Sequence, residues 1–263
     1  MKLRKDRKVI RMFGRDPLKM IQGLATNDIA GAPENTSVYT AFLTPKGKMV
    51  GDARVLRRPG GDIWIEADTA AADNIASNLK KFVPPLFGKF EFTDYAVVTG
   101  DVADPLAELQ NPFQSDRPDF IVSAEGANAA EEADLELARI EAGEPKWGHE
   151  LTEDVIPLEA GLRDVAISQI KGCYTGQEVI IRILHRGHVN RHLRGILIGS
   201  DDVPALGTEL ARDGKTVGKI TSAVYSPRYE QAIALGYVRR EVEPGSHVQL
   251  NGRDVTVVEL PFS

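Results

Sequence analysis

The residues in this sequence that could most directly do chemistry are a cysteine and a lysine inside a glycine-framed octapeptide. Cys173 is the only cysteine among 263 residues, and it lies in the stretch KGCYTGQE, which begins at Lys171. Glycines allow positive φ angles and close approach of the backbone, and a nearby lysine cation favours the thiolate form of a thiol. Because a single cysteine cannot form a disulfide within the chain, we expect a functional site here.

The residues alone leave three interpretations of Cys173 open. Most free cysteines are small, buried, apolar side chains, and this one could be another. A catalytic thiol needs a base, and histidines at 185, 188 and 192 could supply it. The same three histidines, together with Cys173, could instead provide four ligands for zinc.

Segment 182–194 is dense in positive charge, which bears on the choice between these interpretations. It contains four arginines besides the histidines: Arg182, Arg186, Arg191 and Arg194. A cationic surround opposes a metal ion electrostatically, so we expect no metal site. It favours carboxylates or phosphates instead, although acidic side chains of this acidic protein could also pair with the arginines on a solvated face.

Two further clusters contain candidate binding residues. Segment 139–150 has the pattern of a helix end followed by a tight turn, which places Arg139, Glu141 and Trp147 near that turn, although helix capping alone would explain the pattern. Asp52 and Trp64 lie on successive predicted strands. A carboxylate beside an aromatic ring is unusual in a pure core, so this pair suggests a heteroaromatic ligand.

The elements that must position these residues fall into two groups. Periodicity and turn signals predict an α+β lobe first, with helices beginning after Asp16 and Asp68 and strands at 9–13, 38–43, 49–56, 63–67 and 92–99. A loop-rich passage follows, then a surface connection over 124–133 that overlaps the start of a helix at 131–141. From about residue 192, short strands separated by Asp213-Gly214 and Asn251-Gly252 turns predict a small barrel or sandwich.

Composition limits the class of function. The chain has 38 acidic and 32 basic side chains and a formal net charge of -6, which disfavours nucleic-acid binding through overall charge. No run of 18 apolar residues is present, so we expect no membrane span. The N-terminus lacks the apolar core of a secretory signal, and one unpaired cysteine fits a reducing compartment. We therefore expect a cytoplasmic protein.

The octapeptide at 171–178 and the sequence VIIRILHRGHVNRHLRGI after it resemble the signature of the YgfZ family of folate-binding proteins. That family is related to the aminomethyltransferase, or T-protein, of the glycine cleavage system. The resemblance extends over nearly the whole chain through five further blocks: GRDPLKMIQGLATNDI at 14–29, AFLTPKGKMVGDARVL at 41–56, ARIEAGEPKWGHEL at 138–151, VIPLEAGL at 155–162 and TSAVYSPRYEQAIALGYVRRE at 221–241.

The resemblance implies an α+β fold with two parts. Discontinuous aminomethyltransferase-like lobes over 1–190 would surround a central folate-binding cavity, and a C-terminal β-barrel would cover 191–263. It also implies tetrahydrofolate or a derivative as cofactor. The implied role is accessory: support for the assembly or repair of iron–sulfur enzymes as clients, including those that thiomethylate tRNA. The alternative is an aminomethyltransferase that moves a one-carbon unit to tetrahydrofolate.

The resemblance also implies roles for particular residues. Asp52 and Cys173 are the expected reactive residues, and the expected folate contacts are Asp52, Trp64, Arg139, Glu141, Lys171, Gln177 and Glu178. The Asp-Asp pair of the aminomethyltransferases is Gly51-Asp52 in this chain, and the aromatic residue twelve positions later is tryptophan instead of tyrosine. Because an aminomethyltransferase needs no thiol, Cys173 favours the accessory role.

Overall fold

The computed structural model of the chain describes residues 2–124 and 132–262. Most of the predicted surface connection, residues 125–131, lies outside the described residues. The described residues form two compact units. The first unit lies within Met1–Ala130, Thr152–Pro157 and Leu162–His185. The second unit lies within Glu131–Leu151, Leu158–Gly161 and Arg186–Ser263. No helix in the described parts of the chain is long and apolar enough to cross a membrane.

The first unit is built on two antiparallel sheets, whose elements are numbered in chain order. A five-stranded sheet has the order β3-β4-β5-β2-β6, and a four-stranded sheet has the order β1-β7-β9-β8. The elements are β1 (Lys2–Leu3), β2 (Arg7–Phe13), α1 (Pro17–Gln22), β3 (Ser37–Leu43), β4 (Met49–Arg57), β5 (Ile63–Asp68), α2 (Thr69–Phe82), β6 (Lys89–Phe92), β7 (Ala96–Thr99), β8 (Ala107–Leu109), β9 (Asp119–Val122), α4 (Arg163–Ala166) and α5 (Gln177–Arg186). The strands predicted near 9–13, 38–43, 49–56 and 63–67 are confirmed.

Helix α2 covers one face of the five-stranded sheet. Its first turn is capped as predicted, because the Asp68 side chain accepts a hydrogen bond from the Ala70 backbone N–H at 2.9 Å. Gly51 of β4 faces this helix, and a Cβ added there would lie 2.9 Å from Cγ1 of Ile75. Since side chains alternate along a strand, the next residue, Asp52, points to the opposite face.

The single strand predicted over 92–99 is wrong. The chain turns at Thr93, whose hydroxyl donates to the Val9 carbonyl at 3.1 Å and accepts from the Tyr95 backbone N–H at 3.3 Å. Such local hydrogen bonds compete with a regular ladder. β6 therefore joins one sheet and β7 the other, and the passage predicted as loop contains β8 and β9.

The second unit is a closed six-stranded barrel with one helix, α3 (Glu132–Glu141), beside it. Its strand order is β10-β13-β12-β11-β14-β15, and β15 pairs back with β10. The strands are β10 (Arg191–Leu197), β11 (Glu209–Arg212), β12 (Lys215–Ser226), β13 (Gln231–Arg239), β14 (His247–Leu250) and β15 (Arg253–Val258). The predicted barrel and its Asp213-Gly214 and Asn251-Gly252 hairpins are confirmed, and both residues of each turn have positive φ.

Candidate functional site

Asp52 is a buried carboxylate with an incomplete set of hydrogen bonds. It lies on β4 opposite Ala41 of β3 and is only 5% exposed. The Tyr39 hydroxyl donates to its Oδ2 atom at 3.0 Å. Its Oδ1 atom is buried and has no hydrogen-bond partner among the described residues. A buried polar atom without a hydrogen-bond partner destabilises the folded state, so Oδ1 marks a place where a hydrogen-bond donor of a ligand would be favoured.

Burial brings the pKa of Asp52 close to neutral pH. Burial raises the pKa of Asp52 from 3.8 to about 6. The Arg7 charge and the Tyr39 hydrogen bond oppose the rise, whereas the charges of Asp68 and Glu66 add to it. A carboxyl group with a pKa in this range can both accept and donate a proton under physiological conditions.

Glu66 lies on the same sheet face, but both of its carboxylate oxygens accept hydrogen bonds. Arg54 donates to its Oε2 atom at 2.7 Å, and Arg7 contacts both of its oxygens. Arg54 also pairs with Asp119 at 2.8 Å, so the network continues to β9. Although burial opposes it, the two guanidinium groups hold the pKa of Glu66 well below its ordinary value. Glu66 is therefore a saturated structural carboxylate, unlike Asp52.

The structure does not bring Trp64 next to Asp52. Trp64 pairs with Leu56, which is four residues along β4 from Asp52, or about 13 Å at the usual rise per residue. Its ring is 7% exposed and contacts the Arg58 guanidinium, 4.2 Å from the ring centroid, and the Tyr95 ring at 4.9 Å. It packs in an apolar cluster that includes Leu56.

The sequence did not predict the aromatic residue that contacts Asp52, or the second aromatic ring that packs against that residue. Tyr39 binds the carboxylate directly, and the ring of Phe113 meets the Tyr39 ring edge-on at 5.8 Å between centroids. The register of the β3–β4 hairpin could have predicted that Tyr39 lies near Asp52. Pairing β3 with β4 around the turn places Tyr39 opposite Arg54, diagonal to Asp52 and on the same face.

Lys171 is used inside the first unit and does not present a free cation to the thiol. Its Nζ atom donates to three backbone carbonyls, those of Gln22 at 2.6 Å, Ala25 at 2.7 Å and Asn27 at 2.9 Å. An ammonium group has three N–H donors, so these contacts occupy all of them. Burial lowers the pKa of Lys171 to about 8, against the charge of Asp28. Lys171 therefore ties the octapeptide to the segment after α1.

The two glycines of the octapeptide have different roles. Gly176 has φ +84°, and a Cβ added there would lie 2.6 Å from the Thr44 carbonyl oxygen. Gly172 has open space around its Cα, and its φ lies outside the positive region. The sequence predicted that a glycine allows the backbone to approach a neighbour closely. This is confirmed at Gly176, where the neighbour is the β3–β4 turn.

Cys173 is exposed, and no described residue makes a hydrogen bond or ion pair with it. Tyr174, beside it, is buried and anchors the loop. The other two predicted contacts in the motif begin α5: the Gln177 N–H donates to the Tyr174 carbonyl at 3.2 Å, and Glu178 pairs with Arg182 at 2.7 Å on the exposed side of the helix. The thiol is thus accessible from solvent on a well-anchored loop.

The three histidines after Cys173 do not gather into one cluster among the described residues. Helix α5 ends at Arg186, before His188 and His192, so the three histidines do not share one helical face. Within the described ranges, no group of three or more metal-ligating side chains is found. Three of the four arginines have acidic partners, as in the acid-paired alternative: Arg182 with Glu178, Arg191 with Glu159 and Arg194 with Glu259.

Arg139 and Glu141 lie in the second unit, at the end of α3. Arg139 is buried and makes five hydrogen bonds, two to Glu136 and one each to the Glu144 carbonyl, Glu150 and Ser222. A guanidinium group has five N–H donors, so all of them are used within the unit. Glu141 accepts a hydrogen bond from the Ser226 hydroxyl. Both residues hold the helix end against β12.

Known proteins share this fold. The structure of the glycine cleavage system aminomethyltransferase T from Bartonella henselae matches 99% of this chain and 85% of its own, with a TM-score of 0.83 and 17% identity. Residues 191–263 match the family model of the glycine cleavage T-protein C-terminal barrel domain. The chain therefore has an aminomethyltransferase-like fold with that C-terminal barrel. The expected α+β fold with a C-terminal β-barrel is confirmed.

Curated relatives agree with this assignment at the level of whole chains. The aminomethyltransferase of Shouchella clausii is 24% identical over an alignment 306 positions long, which covers 95% of this chain and 82% of the relative. An uncharacterized protein of Haemophilus influenzae is 26% identical over 230 residues, covering 82% of this chain and 81% of the relative. The similarity therefore spans both units.

Proposed function

We propose that this protein binds tetrahydrofolate and acts in the cytoplasm as an accessory protein of the YgfZ type, supporting the assembly or repair of iron–sulfur enzymes. The observation that carries the proposal is the buried Oδ1 atom of Asp52, which lacks a hydrogen-bond partner among the described residues. We also propose a division into a folate-binding region over 1–190 and a barrel domain over 191–263. The similarity to aminomethyltransferases supports both statements.

The surroundings of Asp52 fit a reduced pterin. A pterin is a flat heterocycle with N–H groups along its edges, so it needs a buried acceptor and an aromatic wall. Asp52 offers the acceptor, and Tyr39 and Phe113 offer the wall. Tyr39 holds Oδ2 in place, which leaves Oδ1 to accept from the ligand. When bound, tetrahydrofolate supplies a carrier for one-carbon units.

The exposed thiol of Cys173 supports the accessory role over catalysis of transfer. Cys173 lies on the surface, held by Lys171 and Gly176 on either side. A thiol in this position can contact a client protein, its cluster or its persulfide, whereas one-carbon transfer to folate requires no thiol. Iron–sulfur enzymes, including those that thiomethylate tRNA, are the proposed clients.

Complementation in cells tests this proposal. Cells that lack the protein would receive wild type, Cys173→Ala or Asp52→Asn at matched abundance, and the activity of a tRNA thiomethylating enzyme would be measured. We expect both variants to lose most of the rescue. Full rescue by Cys173→Ala would remove the thiol from the function, and full rescue by Asp52→Asn would remove the folate site.

The second candidate function is aminomethyl transfer to tetrahydrofolate. It is favoured by the pKa of Asp52, raised to about 6 by burial, which suits a group that moves a proton. Purified protein would then release ammonia from an aminomethyl donor only when tetrahydrofolate is present, and Asp52→Asn would slow release at least about a hundredfold. Folate binding without ammonia release contradicts this second function and leaves the accessory role in place.

A further inference from the structure

The outer surface of the barrel contains a cavity of about 330 Å³ that the proposed folate role does not use. It lies where β10, β13, β12 and β11 run side by side. The residues that line it include Arg191, Glu209, Gly218, Lys219, Tyr237 and Arg239. A volume of about 330 Å³ is at the lower end of the range of small-molecule sites.

The sheet places cations around this cavity in an unusual arrangement. Arg191 of β10 and Arg239 of β13 are direct cross-strand partners. Like charges in directly opposed positions repel each other, and a strand pair normally avoids them. Lys219 of β12 is the cross-strand partner of Tyr237, two residues before Arg239. Because side chains alternate along a strand, all three cations project from the outer face of the barrel.

The acidic side chains nearby offset these charges only in part. Glu159 pairs with Arg191 at 3.1 Å, and the largely exposed Glu241 approaches Arg239 at 3.7 Å. The Arg239–Glu241 pair is largely exposed and contributes little to stability, whereas Glu159 is buried beside Arg191. Glu209 stands opposite Lys219 but accepts a hydrogen bond from the Thr216 hydroxyl at 2.9 Å. Lys219 itself has no ion pair with any residue that the structure describes.

The surface that lines the cavity is largely apolar. The Arg191 guanidinium lies 4.5 Å from the centroid of the Tyr237 ring, and the Tyr237 hydroxyl donates to the Glu150 carbonyl. Gly218 lets β12 approach β13 closely beside the cavity, because a Cβ added there would lie 2.4 Å from the Tyr237 carbonyl oxygen. The cavity therefore combines an apolar base with a cationic rim.

We propose that this cavity binds a small organic anion, with a phosphate or carboxylate group between Arg191, Lys219 and Arg239 and an apolar body above the Gly218 and Tyr237 backbone. The anion relieves the repulsion between the two opposed arginines. Both phosphate and carboxylate match the fork of a guanidinium group, so the site chemistry is shared between the two sources.

Titration of the full chain followed by amide NMR tests the site. The probes are phenyl phosphate, benzoate, inorganic phosphate and the neutral benzyl alcohol. We expect saturable shifts at the Gly218 and Lys219 amides with one or both aromatic anions. The stronger of the two identifies phosphate or carboxylate as the natural group. Benzyl alcohol should give no saturable shift there, and inorganic phosphate should bind more weakly than phenyl phosphate.

Substitution of the exposed cations completes the test. The double variant Lys219→Gln, Arg239→Gln leaves the buried Tyr237 and the Arg191–Glu159 pair intact, and we expect it to weaken binding at least about fivefold. Arg228→Gln, an exposed arginine in the β12–β13 turn outside the cavity, should leave binding unchanged. The proposal is overturned if no probe saturates at these amides, if benzyl alcohol binds equally well, or if the double variant binds like wild type.

Discussion

The buried sheet face that carries Asp52 and the exposed loop that carries Cys173 hold the two candidate reactive groups under opposite conditions. Asp52 is surrounded by charges fixed by neighbouring strands, and burial raises its pKa. Cys173 has no hydrogen-bond or ion-pair partner among the described residues and is open to solvent. The structure anchors the residues beside the thiol, Lys171 and Gly176, while leaving the thiol itself accessible.

The difference in burial between Asp52 and Cys173 suits the two residues to different binding partners. A buried acceptor with one oxygen unsatisfied is suited to a small ligand that brings its own N–H donors. An exposed thiol on an anchored loop is suited to a macromolecule, which cannot reach a buried side chain. Substitutions at the two places should therefore differ in their effects on stability and on binding.

The largest expected effect is on stability at the sheet face. Glu66→Gln leaves Arg7 and Arg54 buried without their carboxylate, and we expect a loss of about 4 kcal/mol in the free energy of unfolding. Asp52→Asn makes the same chemical change on the same face and should cost nothing at pH 8, because the ionised Asp52 is already poorly stabilised. Urea unfolding of both variants measures the contrast. Equal losses would mean that Asp52 is as well paired as Glu66.

The pH dependence of the unfolding free energy should show that burial disfavours the ionised form of Asp52. The folded protein binds the Asp52 proton up to a pKa of about 6, whereas the unfolded chain releases it near 3.8. Between these values the folded state holds more protons, so stability falls as pH rises. We expect wild type to lose about 3 kcal/mol relative to Asp52→Asn between pH 3.5 and pH 7, measured by urea unfolding. A flat difference across this range would contradict the raised pKa.

The cysteine loop should depend on one of its glycines and not the other. Gly176→Ala forces a side chain into a positive φ and against the Thr44 carbonyl, and we expect a loss of about 2 kcal/mol or more. Gly172→Ala is the matched control, with open space and ordinary φ, and it should change stability by less than about 1 kcal/mol. Thermal unfolding compares the two. Similar losses would show that the loop is anchored elsewhere.

The smallest expected effect on stability is at the thiol itself. Cys173→Ala removes an exposed group that has no hydrogen-bond or ion-pair partner among the described residues, so the unfolding free energy should change by less than about 0.5 kcal/mol. The wild-type thiol should react with a small disulfide reagent in the native state as readily as after unfolding. A strongly protected thiol would contradict the proposed contact with clients.

Local signals in the sequence predicted much of the fold. Asp16 and Asp68 both cap helices as expected, because an acidic residue before a helical pattern satisfies backbone N–H groups within a few residues. The hairpin turns of the barrel are also local. The break at Thr93 was missed, because it depends on a hydrogen bond to Val9, 84 residues earlier in the chain.

The site was harder to predict, because its contacts join distant segments. The spacing of Asp52 and Trp64 placed both on neighbouring strands but could not give the register, which puts Leu56 opposite Trp64. Similarly, the proximity of Lys171 to Cys173 in sequence suggested a cation beside the thiol. The structure turns that ammonium group toward carbonyls of the Gln22 to Asn27 segment, which lies more than 140 residues earlier.

A direct titration with tetrahydrofolate under anaerobic conditions tests the central claim. Wild type, Asp52→Asn and Cys173→Ala would be compared by calorimetry at the same pH. We expect saturable binding by wild type, unchanged binding by Cys173→Ala and binding at least about tenfold weaker by Asp52→Asn, since the amide replaces a charged acceptor. Equal affinity of wild type and Asp52→Asn, or no saturable binding by wild type, would contradict it.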